Sequence, residues 1–173
     1  MSKETSEWLN NNVLVGFTSE RGNAWHYRQA DQGDESNHYD NAVPVSDVLR
    51  RLFHWEAVSC TMGYDITAVL GADVQVWKPS SIGRQVIVRS DTLAEFGVFK
   101  EGYTIHQYRD WLISKVHEVN HQLEIGSAGL LKGGAQAWVS FEVPETLHHA
   151  VTGVDYRPQL IACTSHDGSL ATT

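Results

Sequence analysis

Residues 117–121 read His-Glu-Val-Asn-His, the H-E-x-x-H string in which two imidazoles one helical turn apart hold zinc and the Glu between them acts as general base. The surroundings weigh against that chemistry. Ile105, Tyr108, Leu112, Val116, Val119 and Leu123 recur every three or four residues, and at about 100° per residue His117 and His121 fall well off the centre of that apolar stripe. They share a flank with His106, Asp110 and Ser114, Lys115 lies just before them, and Glu142 and Glu145 offer a third ligand only by default. The string reads as an exposed polar face, with a metal-dependent hydrolase using His117, Glu118 and His121 as the alternative.

Other groupings carry less. His26, His38 and Asp40 could ligate a metal, but their spacing matches no ligand pattern. Gly126-Ser127-Ala128-Gly129 with Lys132-Gly133-Gly134 lacks the Gly-Lys-Ser/Thr ending of a phosphate-binding loop and reads as turn chemistry. Ser165-His166-Asp167 gathers the residue types of a nucleophilic triad in adjacent positions, whereas triads assemble from separate parts of a fold. It reads as a polar hairpin tip able to touch a ligand. Trp138, with Gln136 and Ser140 on the outward face of a strand, could stack a base or be covered by another element.

The elements that must position these groups follow from periodicity. Thr104 and Gln107 form a capping box before the apolar stripe, which predicts one long amphipathic helix over about 104–124, closed by Gly126. Ser46 caps a short amphipathic helix over about 46–55, with Arg50 and Arg51 outward. Between Tyr64 and Phe99, Ile66–Leu70, Val74–Lys78, Gln85–Arg89 and Glu95–Phe99 read as strands of an antiparallel meander. After the long helix, Ser127–Leu131 precedes a strand whose Ala135, Ala137, Val139, Phe141 and Val143 alternate with Gln136, Trp138, Ser140 and Glu142. Gln159–Thr164 is a third strand, leading into the turn pair Asp167-Gly168. Residues 19–44 have no apolar periodicity and read as one long polar loop, functional or mobile. The expected fold is α+β, a single domain over 1–173. A hairpin turn five residues before the last suggests a chain truncated at its C-terminus.

Composition bounds the rest. The 173 residues are 42% hydrophobic and 10% aromatic, enough for a real core, and the formal net charge is −8. None of the segments 1–60, 61–103 and 104–173 is net basic, so attraction to a polyanion must come from placed cations and stacking rather than overall charge. No apolar run approaches the roughly 20 residues of a membrane helix, the N-terminus is polar, and Cys60 and Cys163 frame neither a disulfide scaffold nor a thiolate zinc site. A cytoplasmic protein without membrane contact is expected.

Ile125-Gly126-Ser127-Ala128-Gly129-Leu130-Leu131, Gly134-Ala135-Gln136-Ala137-Trp138-Val139, Tyr156-Arg157-Pro158 and Thr164-Ser165-His166-Asp167-Gly168-Ser169 together resemble blocks of a phage/plasmid-like protein family, domain of unknown function 932. Gly22-Asn23-Ala24-Trp25-His26, Arg51-Leu52-Phe53 and Val88-Arg89-Ser90-Asp91 are similar to further blocks. The resemblance implies a bacteriophage, prophage or plasmid setting in a bacterial host, and an N-terminal piece of a longer member; it supplies no reaction and no catalytic residue. The leading expectation is a non-enzymatic accessory protein of DNA metabolism that binds single-stranded nucleic acid through Lys132, Trp138, Arg157 and His166, with DNA or phage and host replication proteins as partners and no cofactor. The alternatives are the metal-dependent hydrolase and a protein-interaction or host-takeover factor.

Overall fold

A computed structural model describes residues 3–71, 73–115, 123–143 and 145–170. Its frame is a four-stranded antiparallel sheet in the order β1-β7-β8-β11, formed by Val13–Val15 (β1), Glu124–Leu131 (β7), Gln136–Glu142 (β8) and Gln159–Ser165 (β11). A second sheet, β2-β5-β6, is built from Ala57–Thr61 (β2), Arg84–Arg89 (β5) and Glu95–Lys100 (β6). Antiparallel sheets with a few helices make the fold α+β, as expected.

The alternation read for 135–143 holds on one face: Ala135, Ala137, Val139 and Phe141 are all buried. They join Leu14, Ile125, Ala128 and Leu130 of the same sheet, Ala57 and Ile87 of the other, and Val48, Leu52 and Phe53 in one apolar cluster. One core therefore underlies both sheets, as apolar faces must find a common partner to leave water. The other face is not simply outward. Ser140 and Glu142 are buried as well, and the Trp138 indole lies over Gly129, where any Cβ would come within about 3 Å of the ring.

Helix α3 (Val45–Arg51) is the expected short helix, shorter than 46–55 and entered from extended Pro44 rather than capped by Ser46. Arg50 does point outward, to Glu35 and Asp47, but Arg51 folds back onto the Ser36 carbonyl and the Tyr39 hydroxyl. Ile66–Leu70 is not a strand. Asp65 Oδ1 accepts from the Thr67 N–H at 2.8 Å, winding Thr67–Leu70 into a helical turn (α4) that Gly71 closes with positive φ. This turn caps a small excursion between Gly63–Asp65 (β3) and Trp77–Pro79 (β4), so the meander is interrupted. Leu147–His149 (β9) and Val154–Tyr156 (β10) form another exposed hairpin.

Of the long helix expected over 104–124, the described residues show helical winding only over 108–115, and residues 116–122 lie outside them. Helical winding starts at Tyr108 and continues as a wide π-turn segment, Arg109–Ser114, which buries Leu112 and Ile113. Thr104 lies ahead of the winding and does not start it, and Gln107 is recruited elsewhere: its amide accepts from the Ala57 N–H at 3.0 Å and donates to the Ala57 carbonyl at 2.8 Å, tying this segment to β2. Residue 123 is not helical and β7 begins at Glu124.

Residues 19–44, expected as one loop, carry internal order. Thr18–Arg21 (α2) and a 3₁₀ turn at Gln29–Asp31 interrupt them, and His38 bridges to Val15 at the outer edge of β1. The segment is held by a buried amide network. Asn10 of helix α1 (Lys3–Asn12) donates to the Ser6 and His26 carbonyls and accepts from the Arg28 N–H and Gln32 Nε2. Gln32 accepts from the Asn37 N–H, and Asn37 donates to the Val13 carbonyl at 2.7 Å. Every strong donor and acceptor of these amides is used, the condition under which buried polar groups order a chain.

Candidate functional site

At the open end of the β5–β6 ladder, Arg84 and Lys100 are register partners. Like charges directly opposite one another destabilise a sheet, and among the described residues neither cation has an ion-pair partner. Beside them, Phe99 and Tyr103 stack with ring centroids 4.3 Å apart and planes inclined by 20°. These four residues with Val98 and Gly102 line an open pocket of about 560 Å³. Phe99 and Lys100 are successive strand residues and leave opposite faces of β6, so the pocket wraps the end of the ladder.

The chain turns sharply to place Tyr103. The Glu101 N–H donates to the Gly83 carbonyl, the Tyr103 N–H to the Lys100 carbonyl, and Gln85 Nε2 reaches the carbonyls of Lys100 and Tyr103, each at 3.2 Å. Phe99 is seated against Gly97 and Gly168, positions where a Cβ would press on its ring. Burial and the nearby Asp167 carboxylate raise the Tyr103 pKa, keeping the phenol neutral. A hydrophobic stack with two unpaired cations at its rim can hold a flat, anionic ligand: a base on the rings and phosphate at the guanidinium and ammonium.

The four residues expected to bind nucleic acid are not brought together. Lys132 is exposed at the β7–β8 turn and approaches the Asp167 carboxylate at 3.7 Å, next to Gly168, which borders the Phe99 ring. Trp138 is half-buried over Gly129. Arg157 sits in another cluster, bonded to Glu20 and Thr146 with its guanidinium 5.5 Å from the Phe17 ring centre. Arg21 lies 5.2 Å from the centre of the same ring and is paired bidentately with the buried Glu142.

His166 is a core residue, not a surface group. It is 2% exposed, its ring stacked on Tyr108 at 4.0 Å and packed on Phe96 and Trp55, while its backbone N–H donates to the Ala135 carbonyl. Burial pushes its pKa down to about 4, so the ring is neutral at pH 7. Ser165 turns to the Leu170 N–H and Asp167 to Ser169, so 165–167 make no triad. His117, Glu118 and His121 lie outside the described residues. Among the described residues no group of three or more His, Cys, Asp or Glu side chains is placed to hold a metal ion. His38 uses both ring nitrogens, accepting from the Ala24 N–H and bonding Asn37, so it is not free to join His26 and Asp40 as a ligand.

Sequence reading passed over Arg84, Phe99, Lys100 and Tyr103. Of these only Phe99 fell within an expected strand, Arg84 and Lys100 each lying one residue beyond the expected bounds; their pairing depends on hairpin register, and the stack on the turn after β6.

Residues 95–173 match the model of a domain of unknown function, DUF932. The match opens on the first residue of β6 and takes in Phe99, Lys100, Tyr103 and Lys132, while Arg84 precedes it. No curated protein and no solved structure matches the chain. The matched residues supply three strands of the four-stranded sheet and one wall of the pocket, and β1, β2 and β5 come from outside the match.

Proposed function

We propose that this chain is a non-enzymatic accessory protein, of phage or plasmid origin, that binds single-stranded nucleic acid in the bacterial cytoplasm during recombination or replication. One observation carries the reading: the Phe99–Tyr103 stack shares a pocket with Arg84 and Lys100, two cations with no carboxylate partner among the described residues. Stacking on an aromatic side chain contributes about 1–3 kcal/mol per base and tolerates any sequence. Lys132, exposed beside Asp167 whose neighbour Gly168 borders Phe99, is a third contact for a passing strand. Trp138, Arg157 and His166 leave the binding set, two being packed or paired and one buried. The acidic whole-chain charge sets the expected strength: modest affinity, resting on few phosphates and lost at moderate salt.

The test is fluorescence anisotropy of a labelled single-stranded oligonucleotide across a salt series. Binding at low salt that weakens on salt addition is expected, with Tyr103→Ala reducing affinity about 5- to 100-fold. Arg84→Ala and Lys100→Ala should each lower the salt slope by about 0.7. No binding at about 20 mM salt, a strong-field regime for exposed charges, overturns the reading.

A protein-interaction role is the second reading, favoured by the β3–α4–β4 excursion. It exposes Val69, Leu70, Val74 and Trp77, each more than half accessible, where isolated soluble surfaces seldom gather so many large apolar groups. Concentration-dependent association abolished by Leu70→Asp and Val74→Asp would support it; a monomer unchanged by both would count against it.

A further inference from the structure

The hydrogen bonds around His38 settle which of its nitrogens carries the proton. The Ala24 N–H donates to His38 Nε2 at 3.0 Å, so Nε2 must be an unprotonated acceptor. Nδ1 lies 2.7 Å from Asn37 Oδ1, and the Asn37 amide is oriented by its donation to the Val13 carbonyl, so Nδ1 bears the hydrogen. His38 is thus a neutral ring in a fixed tautomer. Six ångströms away, with ring centroids 6.1 Å apart, His26 is 8% exposed, and neither of its buried nitrogens has a hydrogen-bond partner among the described residues.

We infer that His26 and His38 form an acid-opened latch holding residues 24–38 against helix α1 and the outer edge of β1. Protonating His38 puts an N–H on Nε2 facing the Ala24 N–H and turns a hydrogen bond into a repulsion. Protonating His26 creates a buried cation without an acceptor, beside a second imidazole. Among the described residues no carboxylate is bonded to either ring to offset these charges. The Tyr27 ring lies edge-on 4.5 Å from His38, and the Trp25 indole 5.2 Å from His26. Arg28 and Asp31 face each other at 4.0 Å, Glu20 and Arg21 of α2 pair with Arg157 and Glu142, and Glu35 pairs with Arg50 of α3. From α1 the segment is met by the neutral amide of Asn10, bonded to the His26 carbonyl, the Arg28 N–H and Gln32, and by the Leu9 carbonyl, which accepts from Asn37, and β1 (Val-Leu-Val) contributes no titratable side chain. Burial lowers the pKa of both rings, and for His38 the neighbouring His26 lowers it further.

The sign follows. A His whose folded pKa is depressed lends stability that is complete above about 6.5 and declines as pH falls below it. The element released has a function in the fold. Asn37 and Tyr39 bond both polar groups of Val15, closing the outer edge of β1. Opening the latch uncovers a strand edge able to pair with another chain. The inference is independent of the nucleic-acid reading.

Amide hydrogen exchange, corrected for its intrinsic pH dependence, tests it on the full chain. Between pH 7 and pH 5, protection across residues 24–38 should fall about tenfold or more relative to β7 and β8. In His26→Phe combined with His38→Gln, whose amide oxygen can accept from Ala24, that loss should shrink to under about twofold. Constant protection in the unaltered chain, or an undiminished pH dependence in the double variant, overturns the proposal. Should the double variant not fold, as low β7–β8 protection at pH 7 would reveal, imidazole nitrogen shifts of the unaltered chain decide: the Nδ1–H tautomer at His38 supports the latch and the Nε2–H tautomer overturns it.

Discussion

At the scale of single residues, two positions hold backbone or side-chain arrangements that only their neighbours explain. Lys132 adopts φ 50, left-handed space that costs a residue with a Cβ roughly 1 kcal/mol, and it is followed by Gly133 and Gly134 at φ 70 and 98. Glycine would fit the turn better than lysine, so the charge, exposed beside Asp167, is what the position retains. Lys132→Gly is expected to raise stability by about 0.5–1 kcal/mol in urea unfolding while lowering the salt slope of oligonucleotide binding by about 0.7. Gly126 sits at the β-bulge between Ile125 and Ser127, where a Cβ would lie 1.7 Å from Glu142 Oε1. That carboxylate is buried and held on both oxygens by Arg21, so it cannot swing aside without stranding a charge. Gly126→Ala should cost about 2–4 kcal/mol in urea unfolding, and the Arg21→Ala variant, in which Glu142 is already released, should feel it less.

At the scale of elements, the excursion between β2 and β5 is structurally separable. Its order is internal: Asp65 holds Thr67 and Gln75, the Thr67 hydroxyl accepts from the Val76 N–H, and Trp77 lies against Gly63. None of its described residues reaches the apolar cluster, so β2 and β5 pair from Ala57–Arg89 to Thr61–Gln85 without its help. Replacing residues 63–82 by an Asn-Gly turn should change the unfolding free energy by less than about 1 kcal/mol. The pocket is the sensitive counterpart, because Gln85 on β5 fastens the turn that carries Tyr103.

At the scale of the whole molecule, the join between the two sheets contains a titratable group. His166 follows the last strand of one sheet and packs on Phe96 of the other and on Trp55 and Tyr108 between them. With its pKa near 4 in the fold and about 6.5 when unfolded, the ring resists protonation only while folded. Its contribution is complete above pH 6.5, declines as pH falls, and is gone below about 4, on the order of 3 kcal/mol in total. Urea unfolding between pH 7.5 and 4 should show that decline, and His166→Phe, which keeps a ring in the stack, should flatten it. An equal slope in both proteins would remove His166 as the cause.

What the residues determined alone is the part governed by local periodicity. The period-two run from Ala135 to Phe141, the strands at 85–89, 95–99 and 159–164, the apolar stripe of α3 and the α+β class all follow from alternation against one core, and neighbours along the chain suffice to read it. Tertiary contacts decided the rest. Gln107 was drawn from a helix cap to the backbone of β2, residues 19–44 acquired order from the Asn10 amide of α1, and His166 moved from hairpin tip to core because the rings of Trp55, Phe96 and Tyr108 close around it. The pocket belongs to the same class: Arg84 and Lys100 are sixteen positions apart in the sequence and become neighbours only through strand register, which pattern along one segment does not encode.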